Sequence, residues 1–113
     1  LGMGAMGMPG DLSSQSRFVR AAFTRLHAVP GGPGQFFRIL DTVVQVEGCC
    51  RTVDGGMERT LYASCCDTQN RVYYYTTECN RRICGIAMDR EKLDGKALIR
   101  WPLLAEEDIL LQN

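Results

Sequence analysis

From residue 13 onward the apolar positions recur at helical spacing. Phe18, Ala22 and Leu26 stand at i, i+4 and i+8, and Val19 with Phe23 widens the stripe. The pattern predicts a helix capped by Ser13 or Ser14 and running to about residue 28. Pro30-Gly31-Gly32-Pro33-Gly34 ends it in a stiff turn, and Phe36, Phe37, Ile39, Leu40, Val43 and Val44 predict a second helix over about 35–46. The period then changes. Residues 60–66 read as a strand, 67–71 as a polar turn, 72–77 as a second strand and 83–88 as a third, with Cys79-Asn80-Arg81 turning between them. Connections this short predict an antiparallel meander.

The strands do not alternate cleanly. Leu61, Ala63 and Cys65 oppose Tyr62 and Cys66, and Ile83 and Ala87 oppose Cys84, Ile86 and Met88, so both faces are expected to need cover. Helices can cover one face, but the chain holds no further strands for the other. It is therefore expected to be incomplete or to self-associate, as a homo-oligomer. Residues 1–8 read as a short buried strand or extended segment ending at the turn Pro9-Gly10-Asp11, and the tail from Asp89 as a loop or docking arm.

Composition narrows the function. The 113 residues are enough for one domain. Thirteen Lys and Arg balance thirteen Asp and Glu, which argues against a nucleic-acid surface and against a polybasic membrane anchor. No apolar run is long enough to span a bilayer, and the first residues do not read as a signal peptide. The start at Leu1, without an initiator Met, suggests a processed chain or a piece of a larger one. With no export signal visible, a cytoplasmic location is expected. The six cysteines (Cys49, Cys50, Cys65, Cys66, Cys79 and Cys84) are then expected to be reduced and mostly buried. There is no C-x-x-C and only one His, so no structural metal site is expected.

The candidate chemistry is sparse. Gly2-x-Gly4-x-x-Gly7 matches a dinucleotide-binding pattern in form. It lacks the preceding strand and the helix opening within it that such a pattern needs to hold a pyrophosphate, so no cofactor is expected. His27 falls among solvent-facing positions, and no G-x-S-x-G elbow occurs. Arg17 is more informative. It falls near the start of the first helix, where the dipole disfavours a cation by about 0.3–1 kcal/mol. It is either a solvated side chain or one with a carboxylate partner or a site role.

Residues 1–23, with Gly7-Met8-Pro9-Gly10-Asp11 and then Ser13-Ser14-Gln15-Ser16-Arg17-Phe18, resemble a signature of the choloylglycine hydrolases, in which G-L-P-G-D is followed by S-S-x-S-R-F and a helix. Gln35-Phe36-Phe37-Arg38-Ile39-Leu40 is similar to the family's next helix. Tyr62-Ala63-Ser64-Cys65-Cys66-Asp67 and Val72-Tyr73-Tyr74-Tyr75-Thr76-Thr77 are similar to its hairpin. The resemblance implies an α+β fold. Residues 1–113 would be the C-terminal part of an αββα N-terminal-nucleophile hydrolase sandwich, contributing two helices and a meander. It implies a cysteine nucleophile whose own α-amino group is the base, acting on a linear amide. That cysteine, its Asp and Asn partners and the substrate loops would lie upstream, in a missing N-terminal half. Of the catalytic set only Arg17 maps onto this chain, with an orienting and electrostatic role. The implied substrates are glycine- or taurine-conjugated bile acids, with penicillin V and related acyl amides as runners-up. The chain alone is expected to be inactive. The rival readings are a noncatalytic fragment or assembly module, and nucleotide binding at the glycine segment.

Overall fold

The computed structural model describes residues 4–113, which fall into two compact units, one up to Thr60 and the other from Leu61 to Asn113. The first holds helices α1 (Ser14–His27) and α2 (Pro33–Asp41) and a short hairpin of β1 (Cys50–Arg51) with β2 (Met57–Glu58). The second holds an antiparallel sheet of β3 (Tyr62–Asp67), β4 (Val72–Thr77) and β5 (Asn80–Ala87), then a 3-10 turn over Met88–Arg90 and a tail without regular structure. No helix among the described residues is long and apolar enough to cross a membrane.

α1 opens as its sequence dictates. Ser13 is the N-cap, its Oγ accepting from the Ser16 amide at 3.2 Å. Asp11 then locks the approach. Its Oδ1 accepts from the Ser13 amide at 2.8 Å and its Oδ2 from the Ser16 hydroxyl at 2.6 Å. Arg20 reaches back from the next turn to the carbonyls of Pro9 and Asp11, at 3.1 and 2.8 Å. The Ser13 and Ser16 hydrogen bonds hold the Asp11 carboxyl down at about 2.

The expected apolar stripe of α1 is not the face this chain covers. Phe18 and Leu26 are each 73% exposed, while the half-buried positions are Arg17, Arg20, Ala21, Ala22, Thr24 and Ala28. These lie largely on one helix face, small enough to let another element approach closely. His27 is exposed, stacked on Phe23 with ring centroids 4.1 Å apart.

α2 begins two residues earlier than expected and stops five earlier. Pro33 sits at the first helical position, where its fixed φ and missing N–H are harmless, so the Pro-Gly turn starts the helix rather than preceding it. A Cβ at Gly31 would meet the Gln35 Cβ at 2.6 Å, so the chain can enter this helix only through glycine there. Beyond Thr42 the β-branched Val43 and Val44 leave the helix. The backbone of Gln45 pairs with Thr60 instead: its amide donates to the Thr60 hydroxyl at 2.9 Å, and the Thr60 amide donates to the Gln45 carbonyl at 3.0 Å. Phe37, 5% exposed, is the sole buried apolar side chain among the described residues.

Two further expectations need correction. Gly4 to Gly7 form an exposed turn, with Ala5 at φ 61° and Gly7 at φ 87°, rather than a buried strand; Leu1, Gly2 and Met3 lie outside the described residues. Among the described residues α1 is the first helix, and it starts at Ser14. The cysteines are free, but Cys49, Cys66 and Cys79 are exposed and Cys50, Cys65 and Cys84 only half-buried. The chain has too little of a closed interior to bury them.

In the second unit β4 runs over the expected residues, whereas β3 starts at Tyr62 and ends one residue later than expected. β5 starts three residues earlier than expected, because Asn80 pairs directly with Thr77 and leaves Glu78-Cys79 as the whole turn. A register shift between Tyr75 and Thr77 absorbs the difference. Cross-strand pairs place Tyr62, Ser64, Cys66, Tyr73, Tyr75, Cys84 and Ile86 on one face and Ala63, Cys65, Val72, Tyr74, Gly85 and Ala87 on the other. The tail docks as an arm. Asn80, 4% exposed, donates from Nδ2 to the Glu106 carbonyl at 2.8 Å and accepts at Oδ1 from the Arg82 amide at 2.8 Å. Arg82 also pairs with Asp108.

Both units are under-buried. The chain exposes 9469 Å². Two separate compact globules of half its mass would together expose only roughly 7,500 Å². Many apolar side chains contribute to it: besides Phe18 and Leu26, Val29, Leu61, Tyr62 and the tail leucines are more than a third exposed.

Candidate active site

Arg17 stands at the end of the first turn of α1, half-buried, its backbone amide donating to the Ser13 carbonyl at 3.0 Å. Its Nε donates to the Val43 carbonyl at 3.1 Å. The partner is thus a backbone oxygen just past α2 and not a carboxylate, and no ion pair is found for Arg17 among the described residues. Pinned through Nε, the guanidinium keeps its Nη edge for something else. A planar cation fixed this way can hold a carboxylate, a sulfonate or a developing oxyanion through two parallel hydrogen bonds.

A polar cluster surrounds the segment that holds it. Gln45, two residues beyond Val43, is 8% exposed. Its Nε2 donates to Glu58 Oε2 at 3.1 Å, while its Oε1 is buried without a partner. Leaving such an acceptor unmatched costs about 1–3 kcal/mol. Turning the amide over would aim Oε1 at a carboxylate, which is worse, so Glu58 fixes its orientation. Cys50 faces Glu58 across the β1–β2 hairpin. Burial pushes the Cys50 thiol up, and the hydrogen bond and charge of Glu58 push it further. The Arg17 charge pulls it back down. Both charges therefore reach the same sulfur.

The sequence pointed to Arg17 alone. Gln45, Cys50, Glu58 and Thr60 escaped it because they gather beside the segment that grips Arg17 only after α2 ends early and the hairpin folds back. The one available signal was a Gln between Val44 and Val46, which reads as the solvent face of a longer helix. None of the six cysteines has a His beside it to act as base, since His27 bonds its own helix at the Phe23 carbonyl, 2.8 Å away.

The second unit carries a separate apolar groove of about 550 Å³ on the tyrosine face of its sheet. Tyr62, Tyr73, Tyr75 and Ile86 form its floor, and Trp101 and Leu103 of the docked tail form a wall. Burial there raises the Tyr75 hydroxyl pKa, with Cys84 adding to the shift.

The family model for linear amide C-N hydrolases of the choloylglycine hydrolase family matches residues 1–101. The chain is 49% identical over 99% of its length to a bile salt hydrolase/transferase of Lactiplantibacillus plantarum, and covers 36% of that protein. It is 38% identical over 86% of its length to a bile salt hydrolase/transferase of Clostridium perfringens, covering 31% of it. Crystal structures of a Cys-to-Ala mutant and an Arg-to-Leu variant of the conjugated bile acid hydrolase of Clostridium perfringens superpose with a TM-score of 0.88. Each is 34% identical, and each match spans 99% of this chain and 36% of the other. The chain thus spans about a third of the length of the curated relatives it matches. With two helices, an antiparallel sheet and these matches, it is an α+β portion of that fold, and it belongs to the choloylglycine hydrolase family of linear amide C-N hydrolases.

Proposed function

We propose that these 113 residues are the C-terminal portion of a bile-salt-hydrolase-like enzyme that cleaves the amide bond of glycine- or taurine-conjugated bile acids, with Arg17 as its active-site arginine. The observation that carries this is Arg17 itself: half-buried, fixed at Nε on the Val43 carbonyl and without an ion pair among the described residues, within a motif shared with the family. The nucleophilic cysteine, acting through its own α-amino group, belongs to the N-terminal portion. Its thiolate attacks the amide carbon, and the oxyanion collapses to a thioester as the protonated amine leaves. Water then releases the bile acid and restores the thiol. Arg17 orients the cysteine and its neighbours and stabilises the negative charge that passes through the site. The whole of 1–113 would be one part of a single αββα domain, in a cytoplasmic enzyme that works as a homo-oligomer.

The test is release of glycine or taurine from glycocholate and taurocholate, with phenoxymethylpenicillin as the competing substrate. The complete enzyme is expected to hydrolyse the bile salts faster, and the 113-residue chain to release nothing. Arg17→Ala in the complete enzyme is expected to lower turnover by tenfold or more, roughly 1.4 kcal/mol of barrier, with the melting temperature little changed. Unchanged turnover would remove Arg17 from the site, and faster penicillin cleavage would replace the substrate.

A further inference from the structure

We propose that Gln45 is a positioning residue which holds the Glu58 carboxylate and so keeps the Arg17 guanidinium free of an ion pair. The inference rests on the proposed role of Arg17 and names the device that keeps that residue available.

Arg17 is gripped at Val43 and Glu58 at Gln45, two residues further on, and a cation and a carboxylate held by one short segment would ordinarily pair. Here they do not. Arg17 spends its Nε on the Val43 carbonyl, and Glu58 is engaged by Gln45. Gln45 Nε2 donates to Glu58 Oε2 at 3.1 Å, and Cys50 occupies the facing position of the hairpin. Gln45 is itself immobilised by its backbone exchange with Thr60, at 2.9 and 3.0 Å, within two residues of the carbonyl that grips Arg17. The orientation of its amide leaves Oε1 buried and unmatched. An acceptor stranded in this way persists where the other end of the same amide has a task that outweighs it. Neutralising an arginine that must meet developing negative charge would remove the field the reaction needs. The bracket on Glu58 prevents that.

The experiment uses the complete enzyme and bile salt hydrolysis. Gln45→Met keeps the volume and removes the amide, so Glu58 is released toward Arg17. The expected result is a drop in kcat of about tenfold, with a smaller change in KM. Adding Glu58→Gln to that variant is expected to restore most of kcat, because the released side chain then carries no charge. A purely structural role for Gln45 predicts no such rescue, since the double variant removes more of the native contacts. A crystal structure of Gln45→Met is expected to show an Arg17–Glu58 ion pair. If Gln45→Met fails to fold, Gln45→Glu repels Glu58 to the same end, and the swap Gln45→Glu with Glu58→Gln restores the hydrogen bond in reverse. Unchanged kcat in Gln45→Met, or no rescue by Glu58→Gln, overturns the inference. Arg17→Ala run beside them separates the two claims. Lost turnover in Arg17→Ala with intact Gln45→Met sinks only the bracket, whereas intact turnover in Arg17→Ala sinks the site and the bracket together.

Discussion

Replacing Asn80 should release the C-terminal arm from the sheet. The side chain is 4% exposed and makes two hydrogen bonds of 2.8 Å, one to the Glu106 carbonyl and one from the Arg82 amide. Each contributes about 1 kcal/mol net, so Asn80→Ala costs about 2 kcal/mol in all, of which the Glu106 bond, about 1 kcal/mol or roughly fivefold in the opening equilibrium, falls on the arm. Asn80→Asp separates the two bonds. Its carboxylate still accepts from the Arg82 amide but presents an oxygen to the Glu106 carbonyl, so the arm is freed while the turn stays closed. The neighbouring Arg82–Asp108 pair is no substitute. Its side chains are 65% and 44% exposed, and exposed pairs of this kind contribute about 0.2–1 kcal/mol. The assay is the fluorescence of Trp101, the sole tryptophan, which sits on the arm against the tyrosine face. Acrylamide quenching should rise strongly in Asn80→Ala and Asn80→Asp and little in Arg82→Ala. Equal quenching in wild type and Asn80→Ala would refute the reasoning, and a larger effect in Arg82→Ala would show that the ion pair holds the arm.

Three other outcomes are expected. Asp11 titrates at about 2 against an ordinary 3.8, so its contribution to the start of α1 is fully present above about pH 4 and is lost as the pH falls toward 2; Asp11→Asn should flatten the acid limb of the helical circular dichroism over that window. Ser13→Ala removes the N-cap acceptor of the Ser16 amide and should lower stability by about 1 kcal/mol in denaturant titration, with Ser13→Asn close to neutral. Changing the exposed Phe18 and Leu26 to Lys should alter the stability of the 113-residue chain by less than about 0.5 kcal/mol while lowering its self-association by light scattering; a large loss of stability would mean that this stripe is packed within the chain.

Much of the local structure was legible because it depends on local chemistry. Ser13 caps α1 as its position suggests, and the tyrosine-rich β4 covers the residues its β propensity predicts. What escaped depends on contacts between distant residues. The periodicity of α1 marks an apolar face but does not say what lies on it, and Phe18 and Leu26 prove to be exposed. Val43 and Val44 fit a helical stripe, yet the exchange between Gln45 and Thr60, fifteen residues apart, pulls the chain out of the helix. The hairpin at Cys50 and Glu58 has two residues per strand, too short for any alternation to register. In the site, the motif identified Arg17, whereas the side chains around it depend on that hairpin and left no pattern of their own.

The meander β3-β4-β5 pairs each strand with its nearest neighbour in sequence, through turns of a few residues. Such pairing closes only short loops, so little chain entropy is lost before the first contacts form, and folding of this kind is fast compared with sheets that recruit distant strands. The sheet can therefore assemble on its own schedule, with Tyr62, Tyr73 and Tyr75 already aligned on one face. In a longer polypeptide it would be a template present early, against which slower segments condense. Substitutions in its two turns would then change the rate at which the protein matures more than the rate at which it unfolds.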